Sequence, residues 1–279
     1  MSNYLQRLIP RRWRKKTPLV HVVRLSGAIG VGTPLKPPLS LEGLAGTLER
    51  AFARKDVAAV ALLINSPGGA AVQSALIHAR IRALAEEKKI PVFAFCEDVA
   101  ASGGYWLACA ADEIYADSSS IVGSIGVIAA SFGFVDALKK LGVERRVHTA
   151  GESKSILDPF QPEKPEDVER LKTLQRDVHE DFKALVRTRR NGKLRGEESE
   201  LFSGAFWSGR QALSLGLIDG IGHMRDVLKG RFGDKTEFKL IAKPQGWGLR
   251  KLAFGSTIDP VSGLIDAMET RAIWGRFGL

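Results

Sequence analysis

The stretch VAAVALLINSPGG, residues 57–69, decides the fold class. From Val57 to Asn65 no side chain is charged, and the run then breaks on Ser66-Pro67-Gly68-Gly69. A continuous apolar run of this length suits a parallel strand buried on both faces, and the Pro-Gly-Gly break turns the chain out of the sheet. Working outward, residues 19–29 (LVHVVRLSGAI) alternate like a strand, and Leu41 to Lys55 forms an amphipathic pattern with Leu44, Leu48 and Phe52 on one face. Ala71 to Lys88 reads as a helix, IPVFAFC as a second buried strand, and AASGGYWLACAAD as a short helix opening at Ser102. Strand and helix therefore alternate, which predicts an α/β domain with a parallel sheet and right-handed crossovers.

Further along, DEIYA reads as a strand, and SSSIVGSIGVIAASFGFV (residues 118–135) as strand, turn and strand inside the core. The segment KKLGVERRVHTAGE reads as a helix end and a strand leading to Lys154. Glu166 to Arg190 carries the clearest helical stripe: Val168, Leu171, Leu174, Val178, Phe182 and Leu185. Ser208 starts a last helix that Gly216 stops.

With 279 residues and 44% apolar content, the chain is globular and able to bury a substantial core. Its two cysteines, Cys96 and Cys109, lie in apolar stretches; they read as buried thiols of a reducing compartment and supply neither a disulfide framework nor a four-cysteine zinc site. No secretory signal or spanning segment is evident, and the expected location is cytoplasmic, peripheral at the inner face of the membrane. The net charge of +10 is concentrated in residues 1–20 and between Lys229 and Lys251. Such clusters attract anionic lipid headgroups. No nucleic-acid-reading motif accompanies them, so no nucleic acid is expected as a partner. Leu5, Leu8, Ile9 and Trp13 near the N-terminus and the tail STIDPVSGLIDAMETRAIWGRFGL are the candidates for peripheral membrane contact.

Two Gly-rich breaks, NSPGG at 65–69 and ASGGY at 101–105, each follow a buried strand and open a helix. In an open parallel sheet, ligands bind at the carboxyl ends of the strands, so both breaks should line one crevice. Closely approachable backbone N–H groups at such a place suit an oxyanion hole. Ser102 sits where an elbow nucleophile would sit, and equally where an ordinary N-cap serine would. Of the five histidines, His21, His78, His179 and His223 read as packed or surface residues, whereas His148 lies six residues before Lys154 and is a candidate for an outer role. A desolvated lysine can replace histidine as a base. Lys154, followed by Ser155, Ile156 and Leu157, is one candidate.

The segments NSPGG, DVAASGGYW, ADEIYAD, SIVGSIGV, GESKSILDPF and FSGAFWSGRQALSLGLIDGIG, in this order from Leu19 to Leu228, resemble the signal peptide peptidase A and SohB-like serine peptidases of family S49. The resemblance implies a single-domain ClpP/crotonase-like α/β fold with stacked parallel β-sheets and surrounding helices. It divides the chain into a basic segment 1–18, a peptidase domain 19–230 and a basic extension 231–279. It implies Ser102 as nucleophile, Lys154 as general base and Ser124 as the residue orienting the lysine. Gly69 and Gly103 would form the oxyanion hole, with Gly68 and Gly69 binding substrate. No metal and no cofactor are implied. Substrates would be hydrophobic, signal-peptide-like peptides, and the protein would be a bowl-shaped homo-oligomer whose neighbouring subunits shape the site. Two features depart from the pattern: no N-terminal anchor precedes the domain, and Ser153 stands where an aromatic residue is frequent. The rival readings are a crotonase-like enzyme acting on an acyl thioester and a non-catalytic membrane-associated scaffold.

Overall fold

The computed structural model describes residues 17–30, 37–151, 153–242, 271–272 and 274–278. The basic N-terminal segment with Leu5, Leu8, Ile9 and Trp13, and most of the tail proposed for membrane contact, lie outside them.

The first half alternates as the apolar runs predict. It holds β1 (Leu19–Ser26), α1 (Leu41–Phe52), β2 (Val57–Ser66), α2 (Ala71–Lys88), β3 (Val92–Ala101) and α3 (Gly103–Ala108). Then follow β4 (Glu113–Ala116), β5 (Ile121–Gly123), α4 (Val135–Leu141) and α5 (Pro165–Arg189). The chain continues with α6 (Glu198–Leu201), β6 (Phe206–Ser208), α7 (Gly209–Ser214), β7 (Gly220–Ile221), α8 (Met224–Phe232) and β8 (Glu237–Leu240). Ser40 starts α1 by accepting from the Gly43 N–H, and Ser208 starts α7 in a reciprocal capping box with Gln211.

The sheet order is β6-β5-β3-β2-β1-β8, with β4 on β3 and β7 on β4. Every pairing is parallel except β5 with β6. β2 is buried on both faces as its composition requires: Val60, Leu62 and Ile64 join one cluster beneath α1, α2 and α3, while Ala59 and Ala61 join a second with Val20, Val22, Phe93, Phe95 and Leu228. β8 lies past residue 230 and pairs with β1, so the sheet extends into the basic C-terminal segment.

β3 divides the sheet. Its first half, Phe93–Cys96, pairs with β4; its last residues, Val99–Ala101, pair with β5. The β2–β3 register shifts between Ile64 and Ser66. Asn65 fills the gap, donating to Asp98 Oδ2 at 2.6 Å and accepting from the Val99 N–H at 3.3 Å. The split makes β3 a branch point within one eight-stranded sheet, flanked by helices, in a single α/β domain.

Two expectations fail in the middle of the chain. After β5, residues 127–134 form no second core strand: Ile128 and Phe132 are 66% and 79% exposed. After α4, residues 143–150 form no strand either. No described residue from Val127 to Asp181 is buried, so this arm, including the first half of α5 with Leu174, stands off the core. It is held by its own contacts. Phe134 stacks on Phe160 at 5.4 Å, Arg145 lies over Phe160 and pairs with Asp158 at 2.9 Å, and the Phe134 N–H donates to the Pro159 carbonyl.

Candidate active site

Ser102 stands between the last residue of β3 and the first of α3, at φ +52° and ψ −121°. A non-glycine residue in this region of backbone space carries strain of about 1–3 kcal/mol and persists only where its surroundings hold it. Here the Ser102 N–H donates to the Gly123 carbonyl at 2.8 Å, and its own carbonyl accepts from the Trp106 N–H at 3.0 Å. Its hydroxyl makes no capping bond to α3, which removes the ordinary N-cap reading.

The two Gly-rich breaks meet at this point. A Cβ on Gly68 would lie 2.8 Å from both the Gly103 nitrogen and the Ser102 Cβ, so the NSPGG loop rests directly on the serine turn. Ser66, fully buried, holds the loop by accepting from the Gly68 N–H at 3.2 Å. The Ile29 N–H donates to the Gly68 carbonyl at 2.9 Å, and the Ile29 carbonyl accepts from the Ala70 N–H at 2.8 Å. That bridging pattern turns the N–H and C=O of Gly69 away from Ile29. Gly103 is the first residue of α3, and its N–H has no intrahelical acceptor.

Ser102, Gly69 and Gly103 line one cavity of about 370 Å³. Pro67, Ala70 and Ala71 complete its floor, and Trp106, Val127, Ile128, Val178 and Phe182 give it an apolar wall. Trp106 stacks on Phe182 at 4.6 Å, joining α3 to α5; such a pair contributes about 0.5–1.5 kcal/mol beyond its buried area. Residue spacing points to these wall positions only in hindsight. Trp106 follows Ser102 by four residues, and Val178 and Phe182 share the α5 stripe, which reads as core.

Ser124 is buried beside the cavity, not in its lining; its N–H donates to the Ala205 carbonyl at 2.7 Å. Lys154 lies on the arm, exposed, in a turn whose N–H reaches the Gly151 carbonyl at 3.2 Å, and it does not line the cavity. His148 is exposed on the same arm. The other histidines are spent elsewhere: His21 Nδ1 contacts the Ala51 carbonyl, His179 Nε2 the Ile125 carbonyl, and His223 lies 3.6 Å from Asp117. Burial, with Arg189 and Arg82 nearby, pushes His78 down to about 4. Among the described residues no group of His, Cys, Asp and Glu is placed to hold a metal ion.

A strained strand-end serine that shares one cavity with Gly69 and Gly103 makes this the candidate site of an α/β protein. The chain belongs to peptidase family S49, whose model matches residues 84–232. It is 34% identical to the chloroplastic serine protease SPPA of Arabidopsis thaliana, over 73% of this chain and 30% of that protein. It is 56% identical over its whole length to a Brucella abortus protein named Na(+)/H(+) antiporter NhaA, of which it covers 39%. The chain thus spans about two fifths or less of the length of these relatives. Among solved structures, a membrane-bound stomatin-specific protease superposes with a TM-score of 0.49 at 16% identity, covering 82% of this chain and 99% of that one. No helix among the described residues is long and apolar enough to cross a membrane.

Proposed function

We propose that this chain is a serine endopeptidase that cleaves hydrophobic, signal-peptide-like peptides through an acyl-enzyme on Ser102. The observation that carries this reading is the strained Ser102 at the end of β3, sharing one cavity with Gly69 and Gly103. Lys154 takes the Ser102 hydroxyl proton as Oγ attacks the peptide carbonyl carbon, and the Gly69 and Gly103 N–H groups hold the resulting oxyanion. Lys154 then passes that proton to the leaving amine as the C–N bond breaks. Water, deprotonated by the same lysine, releases the acyl group and restores Ser102. Ser124 orients the lysine. The apolar wall of Trp106, Val127, Ile128, Val178 and Phe182 suits hydrophobic side chains next to the scissile bond.

Assembly belongs to the same reading. Lys154 rides on an arm whose Phe132, Leu141 and Val143 face solvent in the single chain, and a homo-oligomer covers these residues and completes the site. Peripheral attachment to anionic membrane through the basic termini is part of the proposal.

The test is intact-mass spectrometry after a fluorophosphonate probe on wild type, Ser102→Ala and Lys154→Ala. A single adduct on wild type that both substitutions abolish supports the dyad. An unlabelled but assembled wild type moves the assignment to a thioester enzyme or a scaffold.

A further inference from the structure

Among the described residues, one charged residue lines the Ser102 cavity, and it comes from the far end of the chain. Phe277 is 8% exposed and packs on Val99 and Ala101, with Ile121 and Trp274 alongside. Its ring meets Phe206 edge-on at 5.3 Å. These seats are the ends of the strands that carry the site: Ala101 immediately precedes Ser102, and Gly123 pairs with both Ala101 and Phe206. The anchor sets its neighbour Arg276 against the cavity, in whose lining every other described residue is uncharged. Among the described residues Arg276 makes no ion pair; its guanidinium lies over the Phe277 ring at 5.9 Å.

A guanidinium is a planar fork of donors matched to a carboxylate, and it keeps its charge at any working pH. Arg276 is exposed at the edge of this cavity, so its guanidinium is open to a carboxylate that enters with the peptide. We propose that Arg276 is a specificity-determining residue that receives a carboxylate of the bound peptide. This rests on the peptidase reading of the cavity. Two sources supply the same chemistry: an Asp or Glu side chain near the scissile bond, or the peptide's own C-terminal carboxylate.

Three quenched fluorescent peptides with one shared apolar centre distinguish these: a neutral C-terminal amide, the same peptide with a free carboxylate, and the amide carrying a Glu beside the centre. The assembled wild type is expected to favour one carboxylate peptide over the neutral amide by about fivefold or more in kcat/KM. Whichever peptide is favoured names the source. Arg276→Glu should bring the ratio below one, Arg276→Lys should keep part of it, and Phe277→Ala, which frees the anchor, should lower it. Affinities of the same peptides for Ser102→Ala, with and without Arg276→Glu, read the preference without turnover. A wild-type ratio near one in both readouts, or a ratio that Arg276→Glu leaves in place, overturns the proposal. Absent turnover with an intact affinity ratio would sink the peptidase reading while upholding the carboxylate site.

Discussion

Ser102 and Ser124 follow directly paired residues, Ala101 and Gly123, on neighbouring parallel strands, and both leave their strands at φ +52°. The bond from the Ser102 N–H to the Gly123 carbonyl closes the pair at 2.8 Å, and the Ser124 N–H is fixed to Ala205 on the other side. The two hydroxyl-bearing residues are therefore spaced by backbone hydrogen bonds. Side-chain packing alone would leave that distance softer.

Strain at Ser102 makes a stability prediction opposite to the usual one. Glycine tolerates φ +52° with ψ −121° freely, although it loses more chain entropy on folding. With strain of about 1–3 kcal/mol relieved, Ser102→Gly should stabilise the fold by about 1 kcal/mol while abolishing probe labelling. Urea unfolding midpoints of the two proteins check it.

Gly69 admits no side chain. Its φ of +141° disfavours one, and a Cβ there would collide with the Ile29 carbonyl oxygen. Gly69→Ala should cost about 1–3 kcal/mol, as overpacking does, and should remove labelling of Ser102 in the fraction that folds. Thermal unfolding run beside the labelling assay separates the two effects.

His78 makes the fold sensitive to acid. With its folded value near 4 against an ordinary 6.5, the unfolded chain binds a proton that the folded chain refuses between these values. Stability should therefore be complete above about pH 6.5 and fall as pH drops toward 4, by on the order of 3 kcal/mol from this residue. The slope of stability against pH between 6.5 and 4.5 should flatten in His78→Gln. An unchanged slope would remove His78 as its source.

Burial pushes both Cys96 and Cys109 up to about 12. Only the thiolate reacts, so iodoacetamide at pH 8 should leave the native protein unmodified and add to both cysteines in denaturant. Intact mass reads the difference; native alkylation would show that the strands around them open.

The sequence by itself determined the alternation of buried strands and helices, the cap at Ser208, and the two glycine breaks. Each of these rests on residues close in the chain, where composition and spacing dictate the backbone. Tertiary structure alone decided what those elements face. Val168 to Phe182 repeats at helical spacing throughout, yet only its end at Phe182 is buried, because an apolar stripe reports that something covers it and not what. The segment from Val127 to Phe134 reads as core for the same reason, and it lies open on the arm with Lys154. Glu97 and Asp98 interrupt the apolar run of β3, but nothing in that run shows that the half before them pairs with β4 and the half after them with β5, since that branch depends on which strands are neighbours. Contact between Gly68 and Ser102, and the seating of Phe277 that brings Arg276 to the same cavity, arise from sheet order. Sheet order is set by the burial of whole strands and faces, so no local stretch of sequence encodes it.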